Sequence, residues 1–333
     1  MKTRIPRRTT LAALAAALIL PAAATIAPAP AAAQKQVVVS VIYGPNRPQA
    51  KVWYRMSELL EKSMPGKFKF KVVTNGALGG EKETTEGIRL GSIQGALSTL
   101  ANLTTWVPDG ALFDMPFMFR DEAHIEKVMA GPIGDEFKKK YAEKGFHVLG
   151  FIIYGARHVI AKKPLLTPDD VKGLKMRVLQ SNLHISLWRY LGANPTPVPI
   201  TEAYNALETG VVDYMDMTKA GYRALKLYEV VPQFTETGHI WALGVMYVGN
   251  QFWAKLTDAE KKAWQAAANQ AIPYFNKLAA EEQAAALADA MKKGAKKHSV
   301  DKAAWQAKMA GFWKSYADKV GGMEKIMIIV NTK

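Results

Sequence analysis

Two arginines twenty positions apart, Arg157 and Arg177, are the side chains in this sequence best suited to chemistry. Arg157 closes Gly155-Ala156-Arg157-His158 behind an apolar run, Val148 to Tyr154. Arg177 stands in Gly173-Leu174-Lys175-Met176-Arg177-Val178. A guanidinium offers two parallel N–H donors that meet both oxygens of a carboxylate, so this chemistry is anion capture. The competing reading is a surface ion pair, the ordinary fate of arginine. Residues at the ends of sheet strands line the crevice of an α/β domain, and Arg177 ends such a strand. For Arg157 the residues alone leave both readings open.

The elements that must hold these arginines alternate between strand and helix. Val37 to Tyr43 is an apolar, β-branched strand ending in the turn Gly44-Pro45-Asn46, and an amphipathic helix runs from about Ala50 to Met64. Phe68 to Thr74 reads as a second strand, Glu81 to about Gly91 as a helix, and Gly95 to Thr99 as a third strand. A second unit begins near Gly155. There Thr167-Pro168-Asp169-Asp170 is a helix start, and Asn182 to Leu191 is a helix stopped by Gly192. Thr201 caps Glu202 to Glu208, and Val211-Val212-Asp213 is a short strand. Thr257-Asp258-Ala259-Glu260 is a capping box opening an Ala- and Lys-rich helix toward Met291, with Pro273 as its kink, and Lys302 to Val320 is a further helix. The class is α/β, with a largely parallel sheet expected.

Residues 1–33 read as an export signal. Lys2, Arg4, Arg7 and Arg8 precede the apolar run Leu11 to Leu20, and Ala31-Ala32-Ala33 is a cleavage site before Gln34. Arg7-Arg8 is a weak twin-arginine match, and the general secretory route is favoured. No later stretch is apolar over a membrane length, so no membrane span is expected. The formal charge of +15 includes the four positive charges of the leader, leaving +11 on the remaining 300 residues. The lysines are scattered, which reads as a solvated basic surface able to steer anions, and no nucleic-acid partner is expected. With no cysteine, disulfides, thiolate metal sites and cysteine nucleophiles are excluded. The nucleophile elbow, the phosphate loop, G-x-G-x-x-G and H-E-x-x-H are absent.

Several motifs in order carry a family resemblance over nearly all of the chain after the leader. They are Leu78-Gly79-Gly80-Glu81, Met115-Pro116-Phe117-Met118-Phe119-Arg120, the two-arginine block, and Tyr204-Asn205-Ala206-Leu207-Glu208-Thr209-Gly210-Val211-Val212-Asp213. Together they resemble the substrate-binding proteins of tripartite ATP-independent periplasmic (TRAP) transporters, the DctP-like family. The resemblance implies two α/β lobes with a hinged cleft and a long kinked helix spanning both. The expected lobes are residues 34–154 plus about 243–282, and 155–242 plus about 283–333. It implies a periplasmic protein that captures an organic acid and delivers it to TRAP membrane permease subunits, without catalysis or cofactor.

Carried over by residue, the resemblance is what favours ligand contact for Arg177: it implies that Arg177 binds the ligand carboxylate bidentately and that Arg157 assists. Met217, in Asp213-Tyr214-Met215-Asp216-Met217, stands where the family commonly has an asparagine, so one polar contact is lost. Thr99, Glu81, Tyr154, Asp216, Trp106 and Trp241 complete the candidate ligand shell. Two arginines permit a C4-dicarboxylate, whereas Tyr214, Met215, Met217 and Trp241 lean toward a bulkier or aromatic acid. Asp216, Glu236 and His239 could together hold a bridging cation; their competing reading is capping and ion pairing, and no metal is expected. The rival functions are an exported enzyme and a sensor partner acting on a small carboxylate.

Overall fold

The computed structural model describes residues 34–333, and the export signal read over residues 1–33 lies outside them. Among the described residues nine strands form one sheet: β1 Lys35–Ser40, β2 Phe68–Val73, β3 Gly95–Thr99, β4 Phe146–Ala161, β5 Lys175–Val178, β6 Asn194–Pro197, β7 Tyr214–Thr218, β8 Gln233–Gly249 and β9 Lys296–His298. Their order is β2-β1-β3-β8-β4-β7-β5-β6, with β9 paired to β8. The fold is α/β and two-lobed.

Both flanks of the sheet follow the expected alternation. β1 pairs in parallel with β2 and β3, and β5 pairs in parallel with β6 and β7. Parallel neighbours need a crossover, which helices Pro48–Ser63 and Glu81–Leu90 supply for the first group. Val37, Val39, Trp53, Met56 and Leu60 are fully buried between strand and helix. The centre departs from the expectation. β3 with β8, β8 with β4, and β4 with β7 are antiparallel, so the sheet is mixed and not largely parallel. β4 has 16 residues and β8 has 17, long enough to run through both halves of the molecule.

This length corrects the placement of Arg157. β4 continues to Ala161, so Arg157 lies inside a strand that pairs on both sides, with Thr218 and with Ile240, and not at its end. A second correction concerns the strand read over Val211 to Asp213. The chain turns there, with Val211 half exposed and Val212 buried, and β7 starts at Tyr214. Asp213 ties that turn to the start of β5 by accepting the Lys175 amide at 2.8 Å.

Register shifts between Val148 and Gly150, Ile153 and Gly155, and Arg157 and Val159 mark bulges that bend the β4–β8 pair. Gly155 has φ +109°, and a Cβ there would lie 2.5 Å from Gln283 Nε2. That amide donates to the Tyr154 carbonyl, so the bulge needs glycine both for its left-handed backbone and for this approach.

Gln283 belongs to the 34-residue helix Asp258–Met291, which the Thr257–Glu260 capping box opens and which contains Pro273. It packs on helix Pro48–Ser63 in one half and on helix Lys219–Ala224 in the other, so it spans both lobes. The next helix, Lys302–Tyr316, ends before Val320 in a 3-10 turn, Ala317–Val320. The last helix, Met323–Asn331, folds back on the early part of the chain. His124 Nε2 meets the Ile329 carbonyl at 2.8 Å, and Arg120 donates to the carbonyls of Val330 and Thr332 at 2.8 and 2.6 Å. Among the described residues no helix is long and apolar enough to cross a membrane.

Gly244, on β8 opposite Thr99, shows how tightly the centre is packed. A Cβ at this position would lie 2.3 Å from Tyr154 Cε2 and 2.8 Å from the Ser98 carbonyl. Gly244→Ala is therefore expected to lower stability by about 1–3 kcal/mol, the usual cost of overpacking. Urea unfolding followed by circular dichroism checks this, and a midpoint at the wild-type value would contradict the packing described.

Candidate functional site

Where the two halves of the sheet meet, residues from both line a cavity of ≈ 860 Å³, counted out to its open mouth. β1 leads into it through Tyr43, β3 ends on it at Thr99, and helix Glu81–Leu90 presents Glu81 at its first residue. β4 contributes Tyr154 and Arg157, β5 contributes Arg177, and β7 contributes Met217 and Thr218. Glu282 and Gln283 of the long helix complete the wall.

The two arginines have different partners. Arg157, 4% exposed, is engaged from within by Asp216, which is fully buried. Arg157 Nε donates to Asp216 Oδ2 at 2.9 Å, and Nη2 donates to Oδ1 at 2.6 Å and to the Asp216 carbonyl at 2.8 Å. Burial alone would push the Asp216 carboxyl up. The Arg157 charge and hydrogen bonds outweigh it and hold this carboxyl well below its usual range.

His239 adds a further support for Asp216. Its Nε2 lies 3.1 Å from Asp216 Oδ2, and its Nδ1 lies 2.8 Å from Thr237 Oγ1. Burial lowers the His239 pKa. An ionised carboxylate only accepts, so the neutral ring carries its proton on Nε2 and accepts from the Thr237 hydroxyl on Nδ1. Thr237, His239, Asp216 and Arg157 thus form one buried chain that fixes Arg157 in place.

Arg177, 2% exposed, is different. Its Nε donates to the Val198 carbonyl at 2.8 Å, and among the described residues no carboxylate lies within ion-pair distance of it. Burial, then repulsion from Arg157, lowers its pKa to about 10. It remains charged at neutral pH and lines the cavity. Nearby, Glu81 accepts from the Thr99 amide at 2.7 Å and from the Thr99 hydroxyl at 3.0 Å. Burial raises its pKa, against the pull of these hydrogen bonds and of Arg177.

Also on the wall, Arg47 reaches Glu282 at 2.7 Å and the Ala220 carbonyl at 3.3 Å. Arg223 reaches the same carboxylate at 3.0 Å, and Gln283 Oε1 accepts the Ala220 amide at 2.9 Å. Glu282 therefore joins the start of helix Pro48–Ser63 to helix Lys219–Ala224.

Of the sequence candidates, Arg177, Arg157, Glu81, Thr99, Tyr154 and Met217 lie on this cavity. Asp216 lies behind it, its carboxylate committed to Arg157 and His239. Trp106 and Trp241 are outside the wall and pack against the main hydrophobic core, Trp106 edge-on to Phe146. Tyr214 and Met215 are fully buried core residues, so of the four side chains leaning toward an aromatic acid only Met217 reaches the cavity. The cation set does not assemble. Glu236 is held at 2.7 Å by both Lys219 and Lys297, away from the Asp216–His239 pair, and no group of three such side chains among the described residues could hold an ion.

Sequence reasoning missed Tyr43, Arg47, Gln49, Glu282 and Gln283. The strand-end argument applied to Arg177 applies equally to Tyr43, which follows β1. Nothing local in the Ala-rich helix marks Glu282 or Gln283.

Two lobes around a cavity that holds a buried, unpaired guanidinium are the architecture of a solute-binding protein. Comparison with known proteins agrees. The model of the bacterial extracellular solute-binding protein family 7 matches residues 39–319. A solute-binding protein of Verminephrobacter eiseniae is 31% identical over 85% of this chain and 85% of its own. A TRAP periplasmic solute-binding protein from Xanthobacter autotrophicus, solved with bound β-D-galacturonate, is 29% identical with a TM-score of 0.85, covering 90% of this chain and 100% of that one. A TRAP protein from Sulfurospirillum deleyianum, solved with bound succinate, is 30% identical with the same TM-score and coverage. The chain belongs to the bacterial extracellular solute-binding protein family 7, the DctP-like proteins of TRAP transport.

Replacing Asp216 by asparagine keeps its shape and leaves Arg157 buried without an anion, which is expected to cost about 3–5 kcal/mol. The native carboxyl is depressed below its ordinary value of 3.8, so its stabilisation is present above that pH and is lost as pH falls through the native value. Urea midpoints of the two proteins should differ widely at neutral pH and converge in acid. A constant gap down to pH about 2 would contradict the ion pair.

Proposed function

We propose that Arg177 is the anchor for the carboxylate of the captured acid, and that the loaded protein delivers it to the membrane subunits of a TRAP permease. One observation carries this reading: Arg177 is a buried, charged guanidinium on the cavity wall that the protein itself leaves without a carboxylate. A ligand carboxylate supplies the missing anion and both acceptors for its fork. Bound galacturonate in one relative and bound succinate in another share that carboxylate and little else.

In this reading Arg157 is a support. Its fork is occupied by Asp216, and its charge is balanced before a ligand arrives. The expected lobes, 34–154 with about 243–282 and 155–242 with about 283–333, hinge on β4, β8 and the long helix, with one change at the end of the second span, which bonds to Arg120 and His124. Residues 317–333 stay packed on the first lobe. Closure excludes water and strengthens the Arg177–carboxylate contact, and contacts made only in the closed form shift the population toward it. The leader, with cleavage after Ala33, places the protein in the periplasm. The role is capture without turnover, so the ligand leaves chemically unchanged.

The carboxylate left without its cation in Arg177→Ala is expected to lose about 2–5 kcal/mol of binding, roughly 30- to 5000-fold in Kd. Arg177→Lys should recover only part of it, because an ammonium cannot make the bidentate contact. Affinity should be flat from about pH 6 to 8. It should fall as pH rises past about 10, where free Arg177 loses its proton. Isothermal titration across pH checks all three. Near-wild-type affinity in Arg177→Ala would overturn the anchor, and a chemically altered ligand recovered from the protein would point to an enzyme.

A further inference from the structure

We infer that the cavity selects a monocarboxylic acid bearing hydroxyl groups, in preference to a dicarboxylic or an unsubstituted acid, and that Gln49 and Arg47 read those hydroxyls. The inference rests on Arg177 as the carboxylate anchor and goes beyond it to the remainder of the ligand.

Charge accounting gives the first half. The described cations on the cavity wall are Arg47, Arg157 and Arg177. Asp216 neutralises Arg157, and Glu282 neutralises Arg47 while also serving Arg223. That leaves one cation among the described residues, Arg177, for one ligand carboxylate. A second carboxylate would find each remaining guanidinium already paired, and would share the cavity with Glu81 and Glu282.

Two orphan atoms give the second half. Arg47 Nε and Gln49 Oε1 are buried and have no hydrogen-bond partner, and both residues line this cavity. Buried polar atoms in native proteins are normally satisfied, so the pair marks where a polar ligand group is wanted. Arg47, Gln49, Tyr43 and the Arg177 anchor all line the same cavity.

The orphans are one donor and one acceptor. A hydroxyl both donates and accepts, and it serves whichever end of the Gln49 amide faces it. A second carboxylate could accept from Arg47 Nε and from the Gln49 amide nitrogen, but it would add a negative charge beside Glu282 with no free cation to balance it. An alkyl or aromatic tail would leave both unmet. The apolar remainder of the wall, Val41, Leu97, Leu179, Ile200 and Met217, suits the C–H faces of a hydroxylated chain or ring.

The test is calorimetric titration of the purified protein with matched acids of four to six carbons. The panel comprises stereoisomeric aldonates and uronates, their unhydroxylated counterparts such as hexanoate, and the diacids succinate, adipate and glucarate. The tightest ligand should be a hydroxylated monocarboxylate, with its deoxy and diacid counterparts weaker by about tenfold or more. Gln49→Leu should weaken the hydroxylated acid by about tenfold and leave the deoxy acid within about twofold. The wild-type panel decides the question even if that variant misfolds. A diacid or unhydroxylated acid binding tightest, and losing affinity in Arg177→Ala, would overturn this inference while leaving capture intact. No binding by any acid, or binding indifferent to Arg177→Ala, would overturn the anchor and this inference with it.

Discussion

The buried ion pair between Arg157 and Asp216 is the interaction on which the site depends. Of the three arginines on the cavity wall, Arg157 and Arg177 are almost wholly withdrawn from water. Left bare, they would repel each other at a large desolvation cost. Asp216, braced by His239 and Thr237, neutralises Arg157, so a single positive charge remains exposed to the cavity. That arrangement gives the site its valence. Burial and the neighbouring Arg157 lower the Arg177 pKa, and on the proposed reading a ligand carboxylate would relieve that cost.

The fold explains why these groups converge. β4 and β8 are long enough to belong to both lobes, so Arg157 and the His239 that braces its partner sit on the strands about which the lobes would move. Bulges bend this pair, and glycines at 155 and 244 let Gln283 and Tyr154 approach the backbone. The long helix then brings Glu282 to the cavity wall, where one carboxylate holds arginines from two different elements. Capture geometry and hinge geometry are therefore built from the same few segments.

Much of this was legible in the sequence, and the failures have physical causes. Strand ends and glycine stops located β1, β3, β5 and the two helices between β1 and β3, whereas Thr99, Glu81 and Arg177 were assigned to the ligand shell by the family resemblance. Local patterning could not reveal that β4 runs on through Ala161, because Gly155, Arg157 and His158 interrupt the apolar run and read as its end. It could not assign Asp216 to Arg157 either, since the pair is 59 residues apart in the chain. The tryptophans misled for the opposite reason. Trp106 and Trp241 are large and near the right motifs, but an aromatic side chain is as readily used to pack a core as to wall a cavity. Glu282 and Gln283 gave no signal at all, because what matters is which face of a long helix meets two other elements.

The most direct measurement is a crystal structure of the protein with its tightest-binding organic acid. The account predicts a carboxylate bridging the Arg177 guanidinium with both oxygens, and an Arg157–Asp216 pair unchanged from the one described. A carboxylate seated on Arg157 with Asp216 displaced, or an acid held without contact to Arg177, would contradict it.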